Sequence, residues 1–581
     1  MSRKHFSQQL AVSSVKFDAV MQNGIANVNA VLEARCEIER ALSRIQEDAR
    51  AYDTAQMQAI ASLGSQMKST QDYIQSRPNK SAKAGRGKKI HELVLEHLLF
   101  EEMPSRSELI CEAHNRTYDW IYRDNSIGFE RWLEKGKGFF WISGKAGSGK
   151  STLMKYLGSH TKTKVLLEKW AGETNRLVIV SCYFWYLGTG LQKSMEGLLR
   201  SILYQVFTAW PEIIKAVIPD MWAACQNSAE RMPDWTKAGL MAALVKVAAS
   251  CTSVPKQTPQ DSNVYLCLFI DGLDEYLGDF AELLDFLEGL SQNPQIKLCV
   301  SSRPWNAFHR VYSRMPSLRL EELSKSDILR YTAEKLREAA ARAKPVPNAK
   351  LLEEITREIS DKAEGVFLWV YLVVNSLQRG FLEGDTAAIL LRRVKQYPSD
   401  LNDFFSAMFF RVDGIYREHT AQCLKLAHDN ATYNHSDLEL MSFVNFWLIS
   451  QYENGFDRPD LFTNLADKVC TQTDFETMLA ETRSFLNASC KDLLYVEPVK
   501  SMSISEPQPI WFRKVYFLHR TVSEYLKTED MQKIMHQSVP SHFVDGRASR
   551  LLATARLKFV PDTSGVELFN FLRFSRLNNG T

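Results

Sequence analysis

The chain has 581 residues, too many for one hydrophobic core and enough for roughly four domains at about 150 residues each. Hydrophobic residues make up 45% and charged residues 24%, a globular composition that excludes a wholly disordered or fibrous chain. Lys plus Arg number 71 against 68 for Asp plus Glu, and a net charge of only +3 argues against a dedicated nucleic-acid binder.

The N-terminus, MSRKHFSQQLAV, lacks the apolar block of a secretory signal. Apolar residues then recur at Ile25, Val28, Leu32, Ile38, Leu42, Ile45, Ala49 and Tyr52, mostly three or four apart, with a slip after Leu32. The spacing predicts one long helix or a helical hairpin over residues 10–75 of an N-terminal module, 1–75, either a coiled-coil-like bundle or a module that recruits a protein partner. Residues 76–89, SRPNKSAKAGRGKK, carry six basic residues and no acid, the pattern of a flexible basic linker. Helical patterning resumes at Ile90 and predicts a helical segment over 90–135.

After Gly138 short β-rich runs at 139–143, 177–185, 264–270, 297–301 and 318–320 alternate with helical stretches, which calls for a parallel sheet covered on both faces over 136–320. Helices dominate beyond, with a helical domain expected over 321–400, and a small hairpin is predicted at 494–499 and 515–518 within a last region, 401–581. The longest apolar run, 366–374, has nine residues and suits a buried helix, not a bilayer span. The ten cysteines never form a Cys-x-x-Cys pair, and several lie in apolar runs. Neither a disulfide framework nor a zinc ribbon fits, and a reducing cytoplasm is the expected location.

Three segments carry chemistry. FFWISGKAGSGKSTLMKYL holds the phosphate-loop pattern G-x-x-x-x-G-K-[ST] between an apolar strand and an amphipathic helix. Gly144, Lys145, Ala146, Gly147, Ser148, Gly149, Lys150, Ser151 and Thr152 are the candidate nucleotide-binding residues. The glycines let backbone N–H groups turn inward around phosphates at a helix N-terminus; Lys150 reaches the β- and γ-phosphates, and the Ser151 hydroxyl ligates Mg²⁺. The second segment, VYLCLFIDGLDE, is an apolar strand ending in Asp271, the Walker B pattern in which a carboxylate holds Mg²⁺ or its water. Asp274 and Glu275 follow as candidates to orient or deprotonate an attacking water, although an acidic loop after a strand is by itself also a solvated turn. In the third, LCVSSRP, a strand ends at Arg303. If that strand lies between the other two, Arg303 faces the γ-phosphate; otherwise it is an arginine salt-bridged at the sheet edge. No H-E-x-x-H helix, G-x-S-x-G elbow or kinase catalytic loop is present.

These segments, with SCYFWYLGTGLQKSMEGLLRSILYQVF, AEGVFLWVYLVVNSL, FLHRTVSEYL and LICEAHNRTYDWIY, resemble the NACHT group of STAND NTPases, specifically its filamentous-fungal branch, also known as the nephrocystin-type NTPase module. The resemblance covers roughly residues 95–530. It implies a P-loop sheet of order 5-1-4-3-2, a helical domain, then a winged helix, with ATP or ADP and Mg²⁺ held between them. It also implies Walker roles for Lys150, Ser151 and Asp271, an acidic pair in Asp274 and Glu275, a sensor in Arg303, and a contact from His519 to the ADP β-phosphate. His519 and Arg520 fit a surface pair equally well. The family's C-terminal repeats are not seen before Thr581.

The expected function is therefore an NLR-like signalling switch that oligomerises with itself, with slow ATP hydrolysis resetting it, of the kind used in fungal self/non-self recognition or programmed cell death. A P-loop enzyme of another class, an AAA+ ATPase or a small-molecule kinase, and a non-hydrolysing adaptor are the alternatives.

Overall fold

The computed structural model describes residues 90–100, 102–227, 233–252, 263–342, 348–412, 414–433, 442–451, 472–497 and 513–539. The expected N-terminal helical module and basic linker lie outside these. The described residues, all from Ile90 onward, belong to one compact unit.

Its centre is a five-stranded sheet: β1 (Gly138–Ser143), β2 (Arg176–Tyr183), β3 (Val264–Asp271), β4 (Ile296–Ser302) and β5 (Ser317–Arg319). The strand order is β2-β3-β4-β1-β5 and every pairing is parallel, the 5-1-4-3-2 order of a P-loop NTPase. Each strand matches its sequence-predicted run to within a residue or two at either end. The runs are legible because a parallel sheet is buried on both faces, which demands near-continuous apolar sequence.

Alternate side chains divide between two layers. Phe139, Trp141, Leu266, Leu268, Leu298 and Val300 face a core shared with α4 (Met195–Ala209), α5 (Lys237–Thr252), α6 (Phe280–Ser291) and α7 (Asn306–Tyr312). Phe140, Ile142, Cys267, Phe269 and Cys299 face the opposite core, built with α1 (Phe129–Lys135), α2 (Lys150–Ser159) and α3 (Thr161–Ala171). One charged side chain breaks the apolar pattern. Lys297 in β4 is fully buried, and its Nζ donates to the Trp132 and Leu133 carbonyls at 2.8 and 2.6 Å while lying 4.1 Å from the Trp170 ring centroid. Those carbonyls belong to the last turn of α1, where a cation complements the helix dipole. Burial still pushes the Lys297 ammonium down to about 8.

A third core unites the helices after the sheet: α8 (Lys325–Ala340), α9 (Ala349–Ala363), α10 (Phe367–Leu382), α11 (Ala387–Gln396), α12 (Leu401–Phe410), α13 (Gly414–Tyr433), α14 (Phe443–Gln451) and α15 (Gln472–Ser489). The longest apolar run becomes the start of α10, whose Trp369, Val370, Val373 and Val374 are buried. No helix among the described residues is long and apolar enough to cross a membrane. The expected hairpin is present as antiparallel β6 (Leu494–Val496) and β7 (Val515–Phe517), followed by α16 (Arg520–Leu526) and α17 (Glu529–Ser538).

The segment over 90–135 differs from the run of helix its periodicity suggests. It is broken into short pieces, among them a helix at Ser105–Leu109 and a 3-10 turn at Asp119–Tyr122, because positive φ at Arg116, Tyr118 and Gly128 interrupts it. Tertiary bonds hold Tyr118 there: the buried Asp327 carboxylate accepts from the Tyr118 backbone at 3.0 Å and from Trp120 Nε1 at 2.7 Å.

Candidate functional site

β1 ends at Ser143, and the chain turns through the phosphate loop into α2, which begins at Lys150. Gly147 has φ of +72°, and an added Cβ would lie 2.8 Å from Leu368 Cβ, so glycine is required both by conformation and by space. The close neighbour is the first turn of α10, whose Leu368 N–H donates to the Gly147 carbonyl at 2.9 Å. Tyr118 Oη donates to the Gly149 carbonyl at 3.2 Å, and the Glu321 carboxylate accepts from the Lys145 N–H at 3.2 Å. The loop is thus braced by groups from before and after the sheet. Lys145 and Ala146 are the more open positions, and Lys145 Nζ pairs with Glu364 at 3.2 Å.

Lys150 Nζ donates to the Gly144 and Lys145 carbonyls at 2.7 and 2.9 Å. Desolvation pushes its pKa down, opposed by Asp274 and reinforced by Arg303. The ammonium is therefore folded back onto its own loop.

Because β4 lies between β1 and β3, the ends of these three strands form one edge. Asp271, the last residue of β3, is buried. Burial pushes its carboxyl upward against the hydroxyls of Ser151 and Ser301 and the charges of Arg106 and Lys150. Ser301 in β4 orients it: the hydroxyl donates to Asp271 Oδ1 at 2.5 Å and accepts from the Gly272 N–H at 3.0 Å. The second oxygen, Asp271 Oδ2, is buried and accepts no hydrogen bond; Ser148 Oγ in the loop is likewise buried without a partner. A buried orphan carboxylate oxygen next to the Ser151 hydroxyl is the hard-oxygen donor set that Mg²⁺ takes. No group of three or more His, Cys, Asp or Glu among the described residues could enclose a metal. An ion here needs its remaining ligands from phosphate and water, the usual manner of Mg²⁺ in nucleotide sites.

Asp274 and Glu275 follow on a 3-10 turn, Leu273–Glu275. Neither is a solvated loop residue. Asp274 Oδ1 accepts from the Arg303 N–H at 3.0 Å, and Oδ2 stands 3.2 Å from both Arg303 Nε and Arg520 Nη1. Glu275 Oε2 accepts from the Tyr186 N–H at 2.7 Å, and burial raises its pKa, with Arg106 opposing. The arginines continue outward to one acid: Arg303 Nη2 lies 3.0 Å from Glu524 Oε2, and Arg520 Nε lies 2.9 Å from Glu524 Oε1. Arg303, Asp274, Arg520 and Glu524 thus form a four-member ion network joining the sheet edge to α16.

His519 caps α16. Its Nδ1 accepts from the Thr521 N–H at 3.2 Å and lies 2.9 Å from Thr521 Oγ1. Burial, then the charges of Arg303 and Lys150, push its pKa down to about 3, so the imidazole is neutral and carries its proton on Nε2. His519 and Arg520 are not a surface pair. The Arg520 side chain is only 10% exposed and stacks over the Tyr186 ring at 4.4 Å.

The structure therefore brings together Lys150, Ser151, Asp271, Asp274, Glu275, Arg303 and His519. Sequence reading passed over Ser301, Glu524, Tyr186 and Arg106. Ser301, Tyr186 and Glu524 lay within quoted segments without being singled out, whereas nothing in the sequence joins Arg106 to this edge.

Residues 116–303 match the family described as nephrocystin 3, N-terminal, a span that takes in the phosphate loop and closes on Arg303. Residues 411–558 match a domain of unknown function, DUF7791, which contains His519, Arg520 and Glu524. Against curated proteins the sequence finds no match. Solved structures similar to the chain include one described as Drosophila ORC bound to DNA, at 10% identity and a TM-score of 0.28, covering 75% of this chain and 92% of that one. Cdc6p from Pyrobaculum aerophilum gives 10% identity and a TM-score of 0.31, over 75% and 99% of the two chains. With scores this low, the fold assignment rests on the sheet order itself.

Proposed function

We propose that the protein is a NACHT-type STAND switch that binds ATP or ADP with Mg²⁺ and changes conformation and self-association with the state of the nucleotide. In this reading the amides of Gly144 to Thr152 surround the phosphates, Lys150 swings from its loop carbonyls to the β- and γ-phosphates, and Ser151 and Asp271 hold Mg²⁺. When bound, the ion neutralises charge developing between the phosphates. Glu275 orients or deprotonates water, and burial raises its pKa in the direction a general base needs. His519 presents Nε2–H to the β-phosphate from a winged-helix-like unit. Hydrolysis is slow and resets the switch.

The observation that carries this reading is the ion network. Arg303 and Asp274, at the end of the sheet beside the phosphate loop, are bonded to Arg520 and Glu524 of α16. A charge arriving at the loop competes directly for the arginines that join the two. The resemblance to fungal NACHT proteins supports a cytoplasmic signalling role in self/non-self recognition or programmed cell death, with residues 1–75 engaging a protein partner.

The test is direct binding. Lys150→Ala should weaken ATP and ADP at least about a hundredfold, as expected when the charge-assisted bonds of one phosphate-binding cation are lost, with far-UV circular dichroism unchanged. Wild-type affinity in that folded variant removes the phosphate-loop assignment.

A further inference from the structure

Four cations converge on the carboxyl edge of the sheet, and three are engaged. Lys150 donates to two loop carbonyls, and Arg303 and Arg520 each pair with Asp274 and Glu524. The fourth, Arg106, comes from the short helix Ser105–Leu109, outside both family matches. Its guanidinium lies 5.5 Å from the centroid of the Trp185 ring, in the turn after β2. Its Nε is buried and makes no hydrogen bond, and among the described residues no carboxylate pairs with it.

The segment is held firmly. Gln192 Nε2 donates to the Glu102 carbonyl at 2.9 Å and to Ser105 Oγ at 2.8 Å, fastening the turn before Arg106 to the loop after β2. Trp185, under the guanidinium, is itself buried and packs on Tyr516 of β7 at 5.2 Å. Arg106 exerts the largest charge effect felt by Glu275, and it also acts on Asp271 and His519. The geometry agrees: Trp185, under the guanidinium, precedes Tyr186, whose N–H donates to Glu275 Oε2 at 2.7 Å, so Arg106 stands at the β2–β3 side of the carboxyl edge. Glu275 and Asp271 feel its charge, yet no acid among the described residues comes within ion-pair distance of it, and a buried guanidinium N–H without an acceptor is unfavourable unless an anion completes it. Stacked on a ring, it offers a fixed planar fork that suits a phosphate.

We propose that Arg106 binds the terminal phosphate of a nucleoside triphosphate, supplied from within the same chain by the segment that precedes the NTPase sheet. The inference rests on the phosphate-loop reading and adds what that reading lacks: a group that distinguishes triphosphate from diphosphate without being tied up in the ion network.

The experiment uses the full-length protein with Mg²⁺ and compares binding of ADP with that of the non-hydrolysable AMP-PNP. Arg106→Gln keeps a planar group on Trp185 and removes the charge. AMP-PNP binding should weaken about ten- to a hundredfold, the factor of one charge-assisted hydrogen bond, while ADP binding moves by less than about threefold. Equal losses for both nucleotides, or no loss for either, overturn the proposal; a mere counter-ion for Glu275 would shift the two ligands alike. If Arg106→Gln does not fold, Arg106→Lys should show the same discrimination at smaller size, because it keeps a charge without the fork. A wild-type protein that binds neither nucleotide defeats the phosphate-loop reading itself, whereas wild-type binding without discrimination in the variant defeats only the role of Arg106.

Discussion

Asp274 lies between two guanidinium groups and accepts from the Arg303 backbone, whereas Glu275 accepts a single amide from Tyr186. Adjacent in sequence, the two carboxylates are thus fitted for different tasks. Asp274→Asn leaves Arg303 and Arg520 facing each other and should lower the thermal midpoint, at a cost of about 3 kcal/mol for a broken buried pair. Glu275→Gln keeps the acceptor for Tyr186 and should leave the midpoint nearly unchanged while slowing single-turnover hydrolysis at least about tenfold, within the usual contribution of a general base. Equal effects of the two substitutions on both quantities would refute this division. His519 yields a pH prediction. It stays neutral in the fold down to about pH 3, against an ordinary value of 6.5. Between those values the unfolded chain binds the extra proton, so acidification destabilises, by at most about 1.4 kcal/mol per pH unit from this group. His519→Asn keeps a helix cap but does not titrate. Its thermal midpoint should therefore fall less than that of wild type as the pH drops from about 6.5 to about 5, the upper part of the window, from 6.5 down to about 3, in which His519 loses its contribution.

At the scale of elements, the contact that matters most is between the phosphate loop and the first turn of α10. Gly365 precedes that turn with φ of +80°, and a Cβ there would stand 2.3 Å from the Glu321 carbonyl oxygen. No side chain rotation relieves a clash with backbone, and the conformation itself is strained for any L-residue. Gly365→Ala should displace the start of α10 from the loop and cost more than about 2 kcal/mol. It should also lengthen or break the bond from Leu368 N–H to Gly147, weakening nucleotide affinity without touching a phosphate-binding group. Amide hydrogen exchange at Leu368 reads the first effect and nucleotide titration the second. Unchanged protection at Leu368 would show that α10 does not brace the loop.

For the whole molecule, the ion network joins α16 to the sheet edge. Arg303 and Arg520 each reach both Asp274 and Glu524, and Arg520 is the arginine that α16 contributes across the contact. Such a contact biases a closed–open equilibrium only through its differential strength in the two states. A charged hydrogen bond of about 1.5–3 kcal/mol moves that ratio roughly ten- to a hundredfold. Arg520→Ala should accordingly raise the self-associating fraction with ADP bound, and adding Glu524→Ala should have little further effect, because the two residues act as one unit. Light scattering across the four-protein cycle measures the coupling. Strictly additive effects would mean that the network does not act as a latch.

The five strands and the phosphate loop were legible in the sequence because each obeys a local rule. A doubly covered strand must be apolar along its length, and phosphates require glycines, a lysine and a hydroxyl at fixed spacing. The strand-end acids Asp271, Asp274 and Glu275 were legible for the same reason. The break-up of the segment over 90–135 was not, because its positive-φ turns are held by Asp327, 209 residues beyond Tyr118 in the chain. Nor could sequence assign partners to charges. Arg520 read as readily as a surface residue, Arg303 as either a nucleotide-facing or a salt-bridged arginine, and Asp274 as either a water-orienting or a solvated acid, until the fold paired them across 246 and 29 residues of chain. Periodicity and motif spacing report on near neighbours, and they determined the sheet and its loop. Which charges are paired, as Asp274 is with Arg303 and Arg520, depends on contacts between distant segments, and only the tertiary structure decided that.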